Sequence, residues 1–303
     1  MLLTHSSRSR PWVVVMLAIC AFQGVAQDST SAVPNKRCVR NTTIAVAAGI
    51  AGTFVALDQA WYADYDRGPF HTFDDSGEWL QMDKVGHTFS GYQLGRIGYT
   101  LYNRCGTKRK TANWAGGSLG FLFLTGVEVL DGTSDAWGFS WSDMAANTIG
   151  AGLFIGQELL WNEQRIGVKL SAHTTGFAAQ RPDLLGESLP ERILKDYNGQ
   201  TIWLSANLKS FLPSTRIPGW LNIAGGYGGE NMVSAFPITP LVVGDQSDRY
   251  RQYYLAPDID FTRIRTRSKV LRTVFFVLNG IKFPLPAVEF QSTGKVVGHW
   301  VYF

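Results

Sequence analysis

Charge is scarce in this chain. Only 17% of its 303 residues are Asp, Glu, Lys or Arg, against about 25% in an average globular domain. There is no H-x-x-x-H or H-E-x-x-H pair and no Ser in a nucleophile-elbow setting. No Cys cluster has metal-ligand spacing. Those absences remove the common zinc-site and serine-hydrolase signatures. No internal repeat and no low-complexity tract is present, which excludes solenoids and biased tails. A mean hydropathy of -0.03 is too low for a polytopic protein made mostly of membrane spans. What is plentiful is apolar: hydrophobic residues make up 45% and aromatics 13%, with 10 Trp and 32 Gly. Such a chain can build a sizeable core and is too apolar for disorder.

The N-terminus reads as an export signal. Arg8 and Arg10 precede a short apolar run, Trp12 to Phe22, and Gly24-Val25-Ala26 supplies small residues before a cleavage point near Gln27. That run is shorter than the ~20 residues of a membrane span. A lipoprotein signal at Leu17-Ala18-Ile19-Cys20 competes with this reading, although Ile19 is bulky where a small residue is wanted. Residues 1–26 are therefore set aside as a signal peptide. Cys38 and Cys105 remain, and in an exported protein they either pair or stay as two free thiols.

Four helices are expected: Val39 to Tyr62, Asp83 to Asn103, Asn113 to Leu130, and a fourth capped by Ser140 or Ser142 and running to Trp161. Small residues four apart recur on each: Ala48 and Gly52, Gly91 and Gly95, Gly116 and Gly120, Gly152 and Gly156. This spacing lets backbones approach closely, as in helix packing in lipid. Beyond Arg165 the pattern alternates and becomes aromatic. Six strands are expected there: Gly167 to Ala172, Thr201 to Asn207, Trp220 to Tyr227, Tyr250 to Arg263, Ala287 to Gln291 and Val296 to Phe303. Gly225 to Gly229 reads as a turn. One helix, Ser268 to Gly280, has an apolar side and basic flanks, which suits either a membrane interface or the cover of a sheet. Six strands are fewer than the usual closed barrel of eight or more.

The expected fold is thus α+β. A Gly-packed, membrane-associated four-helix bundle over 39–164 precedes an antiparallel, β-rich, membrane-docking region over 165–303 with one interfacial helix. Residues 165–303 hold 16 Lys and Arg against 10 Asp and Glu. Export argues against nucleic acid as the partner. The basic excess points to an anionic membrane surface, met by Arg263, Arg265, Arg267, Lys269 and Arg272.

Polar groups interrupt the apolar helices at helical spacing. Asp83 and His87 are i, i+4; Glu128 and Asp131 are i, i+3; Asp143 and Asn147 are i, i+4. Burying such groups without partners costs about 2–7 kcal/mol each. Asp83, Asp131 and Asp143 each also have a helix-end role available to them. His87, Glu128 and Asn147 do not. His87, Glu128 and Asp143 are the candidate catalytic residues, with Asp83, Lys84, Asp131 and Asn147 as binding residues. Three constructions use this set: a closed network that only fixes helix register, a lipid-headgroup binding or acid–base site, and a divalent-metal site. No metal ligand is assigned and no cofactor is expected.

The order D-K-x-x-H, E-x-x-D, S-W-x-D-x-x-x-N-x-x-G resembles the YfiM-like family of exported proteins and lipoproteins. It is more distantly similar to the VanZ-like membrane proteins linked to glycopeptide resistance. Asp83, Lys84, His87, Glu128, Asp131, Ser140, Trp141, Asp143, Asn147 and Gly150 carry the likeness, over about residues 80–160. The stretch Leu194 to Thr201 is similar to the longer members. The resemblance implies an envelope location, at the periplasmic face of the outer membrane or within it, and no assigned reaction. From it and the residues together comes the expectation of a protein that binds an envelope lipid or lipid-linked glycan. The alternatives are a hydrolase or transferase on such a lipid, using His87 and a carboxylate, and a structural envelope component.

Overall fold

The computed structural model describes residues 33–62, 65–237 and 248–303. The signal segment and Cys20 lie outside the described residues.

Helix α1 spans Lys36–Leu57, capped by the Asn35 side chain, which accepts from the Cys38 amide at 3.0 Å. It starts before the expected Val39 and continues as a wider turn through Tyr62. None of its residues is buried. Among the described residues it is the one helix long and apolar enough to cross a membrane. A disulfide between Cys38 and Cys105 ties its start to the end of α2, Met82–Arg104. Of the two fates open to these cysteines, pairing is the one observed.

The expected third helix is two: α3, Arg109–Gly117, and α4, Leu119–Asp131. The break falls at Gly116-Gly117-Ser118, where two poor helix formers precede a hydroxyl that bonds back to the Trp114 carbonyl at 2.7 Å. Helix α5, Trp141–Leu160, is capped by Ser140, whose Oγ accepts from the Asp143 amide at 3.0 Å. The packed bundle is therefore α2, α3, α4 and α5, with α1 lying outside its core. Gly91, Gly116, Gly120 and Gly150 sit directly against neighbouring backbone. The pairs on α1 and late α5 do not: a Cβ on Gly52, Gly152 or Gly156 meets nothing within 4 Å. Small-residue spacing marks where a close approach is possible, and only a facing helix makes it occur.

The second half forms one antiparallel sheet in simple meander order. Its strands are β1 Ile166–Ala172, β2 Gln200–Asn207, β3 Leu221–Glu230, β4 Tyr250–Ile259, β5 Leu285–Gln291 and β6 Val296–Tyr302. Short helices, Pro182–Leu185 and Leu189–Lys195, fill the β1–β2 connection. Helix α6, Lys269–Leu278, lies between β4 and β5 and buries no residue fully. Gly225 to Gly229 is strand, not turn: these glycines pair with Arg251 to Leu255. Bulk from next door fills the space they leave, since a Cβ on Gly226 would stand 2.7 Å from the Trp203 ring.

The sheet curls around Trp203, Ala224, Tyr254, Ala256, Ala287 and Tyr302. The outer edge of β1 is covered by the segment before β5, with Leu170 N to Gly280 O at 3.0 Å and Lys282 N to Leu170 O at 2.9 Å. On its outward side, Val168 and Ile202 pack against Tyr92 of α2 and Phe154 of α5. This contact joins sheet and bundle.

Candidate functional site

The start of α2 presents Asp83, Lys84 and His87 on adjacent turns. It is entered through Trp79, Leu80 and Gln81, all with positive φ (47°, 52° and 65°). Non-glycine residues adopt this conformation at a cost and hold it where neighbours over-determine it. The neighbours here come from the sheet. Tyr227 donates its hydroxyl to the Leu80 carbonyl, and Arg251 donates to Gln81 Oε1 at 2.7 Å. One turn beyond His87, Gly91 brings α2 against α5, so that an added Cβ would lie 3.1 Å from the Asn147 carbonyl. That approach lets His87 Nδ1 reach Asn147 Oδ1 at 2.9 Å.

Lys84 is the electrostatic centre. Its Nζ stands 2.6 Å from Asp75 Oδ2, 2.8 Å from Asp143 Oδ1 and 3.0 Å from Asp83 Oδ2. His87 Nε2 lies 3.7 Å from Asp83 and 3.9 Å from Asp143, while its Nδ1 is 3.8 Å from Glu128 Oε1. Glu128 Oε2 accepts the Ser140 amide at 3.2 Å. Ser140 and Ser142 donate to Asp75 Oδ1 at 2.6 and 2.7 Å. Tyr197 donates to Asp83 Oδ1 at 2.8 Å. Glu128 Oε1 and Asn147 Nδ2 are buried with no hydrogen-bond partner.

These contacts set the protonation states. Burial raises the Glu128 pKa to about 8, with Asp143 adding to the rise and His87 opposing it. Burial raises Asp143 too, reinforced by the Asp83 charge and opposed by His87. For His87, burial works against the imidazolium, but Asp83, Asp143, Glu128 and the Asn147 hydrogen bond outweigh it, and its pKa rises. Asp75 moves the other way: burial is outweighed by hydrogen bonds in which Asp143, Lys84, Ser140 and Ser142 take part. The cluster therefore holds exchangeable protons on Glu128, Asp143 and His87 near neutral pH.

Six of the seven candidate residues converge: Asp83, Lys84, His87, Glu128, Asp143 and Asn147. Asp131 does not join them. It ends α4 and accepts the Tyr62 hydroxyl at 2.6 Å, its pKa raised by burial to about 6. Neither Asp83 nor Asp143 serves as an N-cap. Both lie in first turns, but their carboxylates face Lys84, and Ser140 does the capping on α5. Asp75, Ser142 and Tyr197 are members that the sequence does not single out for the site. Asp75 is one of five carboxylates in a single acidic loop, and nothing local distinguishes it from the others. Tyr197 lies in the Leu194 to Thr201 stretch, which is the one signal pointing to it.

The ligand-capable atoms of Asp83, His87 and Asp143 lie within 4.8 Å of one another. A divalent ion bridges such a spacing, but the acceptor oxygens already face Lys84 and Tyr197. The ammonium supplies the positive charge that an ion would bring. A cavity of about 180 Å³ lined by Thr72, Phe73, Asp74, Trp141 and Ser142 reaches the cluster through Ser142. A larger cavity, about 360 Å³, shares no residue with the cluster. On its wall Glu158 pairs with Arg109 and Arg263 with Asp260, while Arg96 donates to the Phe276 carbonyl at 2.9 Å and its Nε is buried without a partner.

Residues 71–156 match the family described as predicted periplasmic lipoprotein (DUF2279). The match spans all six converging residues and Asp75. It supports an exported protein with a periplasmic location. No curated protein matches this chain, and no solved structure matches it.

Proposed function

We propose that this is a cell-envelope protein that binds the polar headgroup of an envelope lipid or lipid-linked glycan at the His87 cluster. The observation that carries the reading is the pair of unsatisfied atoms beside one imidazole. Glu128 Oε1 and Asn147 Nδ2 are both buried without partners. A network built only to order helices leaves few such groups, because each costs about 1–3 kcal/mol. Complementary groups beside a charged imidazole suit a ligand bearing hydroxyl or amine groups. The chain Ser142–Asp75–Lys84–Asp143 leads from the 180 Å³ cavity to His87. The finer likeness to YfiM-like and VanZ-like proteins belongs to this proposal, as does a hydrolase or transferase activity. The latter is favoured by Glu128, which stays protonated beside His87 and can act as a general acid.

Native mass spectrometry of the full chain in detergent tests this. Wild type is expected to retain an envelope lipid or glycolipid that Glu128→Gln loses while remaining folded. Wild type without a bound species, or Glu128→Gln with undiminished binding, overturns the proposal.

A further inference from the structure

The sheet is inverted relative to a water-soluble one. Its inward positions are largely polar and pair with one another. Lys169 Nζ lies 2.6 Å from Asp258 Oδ2, and Ser205 donates to the same oxygen at 2.6 Å. Asn222 donates to Ser205 at 2.8 Å, Gln252 to Glu289 at 3.0 Å, and His299 Nε2 lies 2.7 Å from Glu289 Oε2. Trp203, Tyr254 and Tyr302 fill the interior beside them, and the cavity of about 360 Å³ opens onto the polar end at Lys169, Ser205 and Asn222.

The outward positions of β3 to β6 are largely apolar and uncovered, except at the end of β3, where Leu80 packs on Gly229 and accepts the Tyr227 hydroxyl. Ile223, Tyr253, Leu255, Val288, Phe290 and Trp300 are all exposed, Trp300 at 90%. Apart from Arg251 near the start of β4, no outward position on these four strands carries a charge. On β4 the uncharged outward positions Tyr253, Leu255, Pro257 and Ile259 span about 20 Å at the usual rise per residue, close to the roughly 25 Å apolar band of outer-membrane β proteins. Basic residues rim both ends. Lys295 is exposed in the β5–β6 turn, where Gln291 N bonds Lys295 O, while Arg251 beside it is engaged with Gln81 and Tyr227. Past the other end of β4, Arg265 and Arg267 are exposed ahead of α6, whose Val270, Leu271, Val274 and Val277 are also exposed. Arg263 is already paired with Asp260 and Glu163.

We propose that the outward face of β3 to β6, with the exposed side of α6, is embedded in the acyl chains of a lipid bilayer, and that the basic residues at its two ends meet anionic headgroups. In water the alternation would expose a continuous apolar surface while burying charges, both unfavourable. In hydrocarbon the same alternation is the stable one. Exposed basic residues at the rim favour an anionic lipid surface over an apolar protein groove. This placement goes beyond headgroup binding at His87 and does not depend on it.

Trp300 is the built-in reporter. The full chain and Trp300→Phe are reconstituted into phosphatidylethanolamine–phosphatidylglycerol vesicles with plain or acyl-brominated lipid. The difference emission isolates Trp300. It is expected to be blue-shifted in plain vesicles and to lose intensity in brominated ones. Leu255→Trp on the Trp300→Phe background should respond in the same way. Water-like, unquenched emission at both positions overturns the proposal. So does a concentration-dependent dimer that shields both reporters without lipid, which would make this face an interface between copies. Headgroup retention is read in detergent at Glu128, so either result can fail without the other.

Discussion

Tyr197, in the connection between β1 and β2, donates its hydroxyl to Asp83 Oδ1 at 2.8 Å across 114 positions of sequence. This bond carries the second half of the chain into a cluster otherwise made by the bundle and the loop before it. Tyr197→Phe leaves Asp83 short of one donor in a half-buried setting. The expected loss is about 1–3 kcal/mol in chemical denaturation. An unchanged midpoint would mean that the sheet region does not brace the cluster.

Glu128 gives the protein a pH dependence of definite sign. Its folded pKa of about 8 lies above the ordinary 4.5, so between those values the fold binds more protons than the unfolded chain. Stability therefore falls as pH rises through that window, at up to about 1.4 kcal/mol per pH unit. The raised His87 pKa acts in the same direction: its contribution is full below about 6.5 and is lost as pH rises through the folded value. Thermal midpoints measured from pH 5 to 8.5 should decline in wild type and decline less in Glu128→Gln. Parallel curves would show that Glu128 is ionised throughout.

Lys84 holds Asp75, Asp83 and Asp143 together. Lys84→Met leaves three neighbouring carboxylates without their cation. The expected cost is about 3–5 kcal/mol at pH 7, shrinking towards pH 4 as carboxylates take up protons. A loss independent of pH would assign Lys84 a packing role only.

The glycines separate into two groups with opposite expectations. A methyl group on Gly120 runs into the backbone of Gly91, so Gly120→Ala should cost about 1–3 kcal/mol or more. Gly152 faces open space, and Gly152→Ala should be neutral or stabilise by up to about 1 kcal/mol. Thermal melting of the two variants side by side checks the contrast.

Local pattern alone located the helix carrying Asp83 and His87, narrowed the cap of α5 to Ser140 or Ser142, and placed the strands to within a few residues. Helical period, capping chemistry and strand alternation act over a few residues, so they are legible in order along the chain. His87, Glu128 and Asn147, which no helix-end role explains, do meet. Other features depended on contacts between distant segments. Asp75 joins the cluster because Lys84 and two serines converge on it, and Asp131 leaves it for Tyr62. Gly225 to Gly229 becomes strand because Trp203 and β4 fill and pair its two sides. Above all, alternation in β3 to β6 shows that one face is apolar without saying which side it takes. Only the curl of the sheet, which turns Lys169, Asp258 and Glu289 inward and Leu255 and Trp300 outward, decides that. An alternating strand reads the same whichever face is buried, and the side is set by what the neighbouring strands and helices leave uncovered.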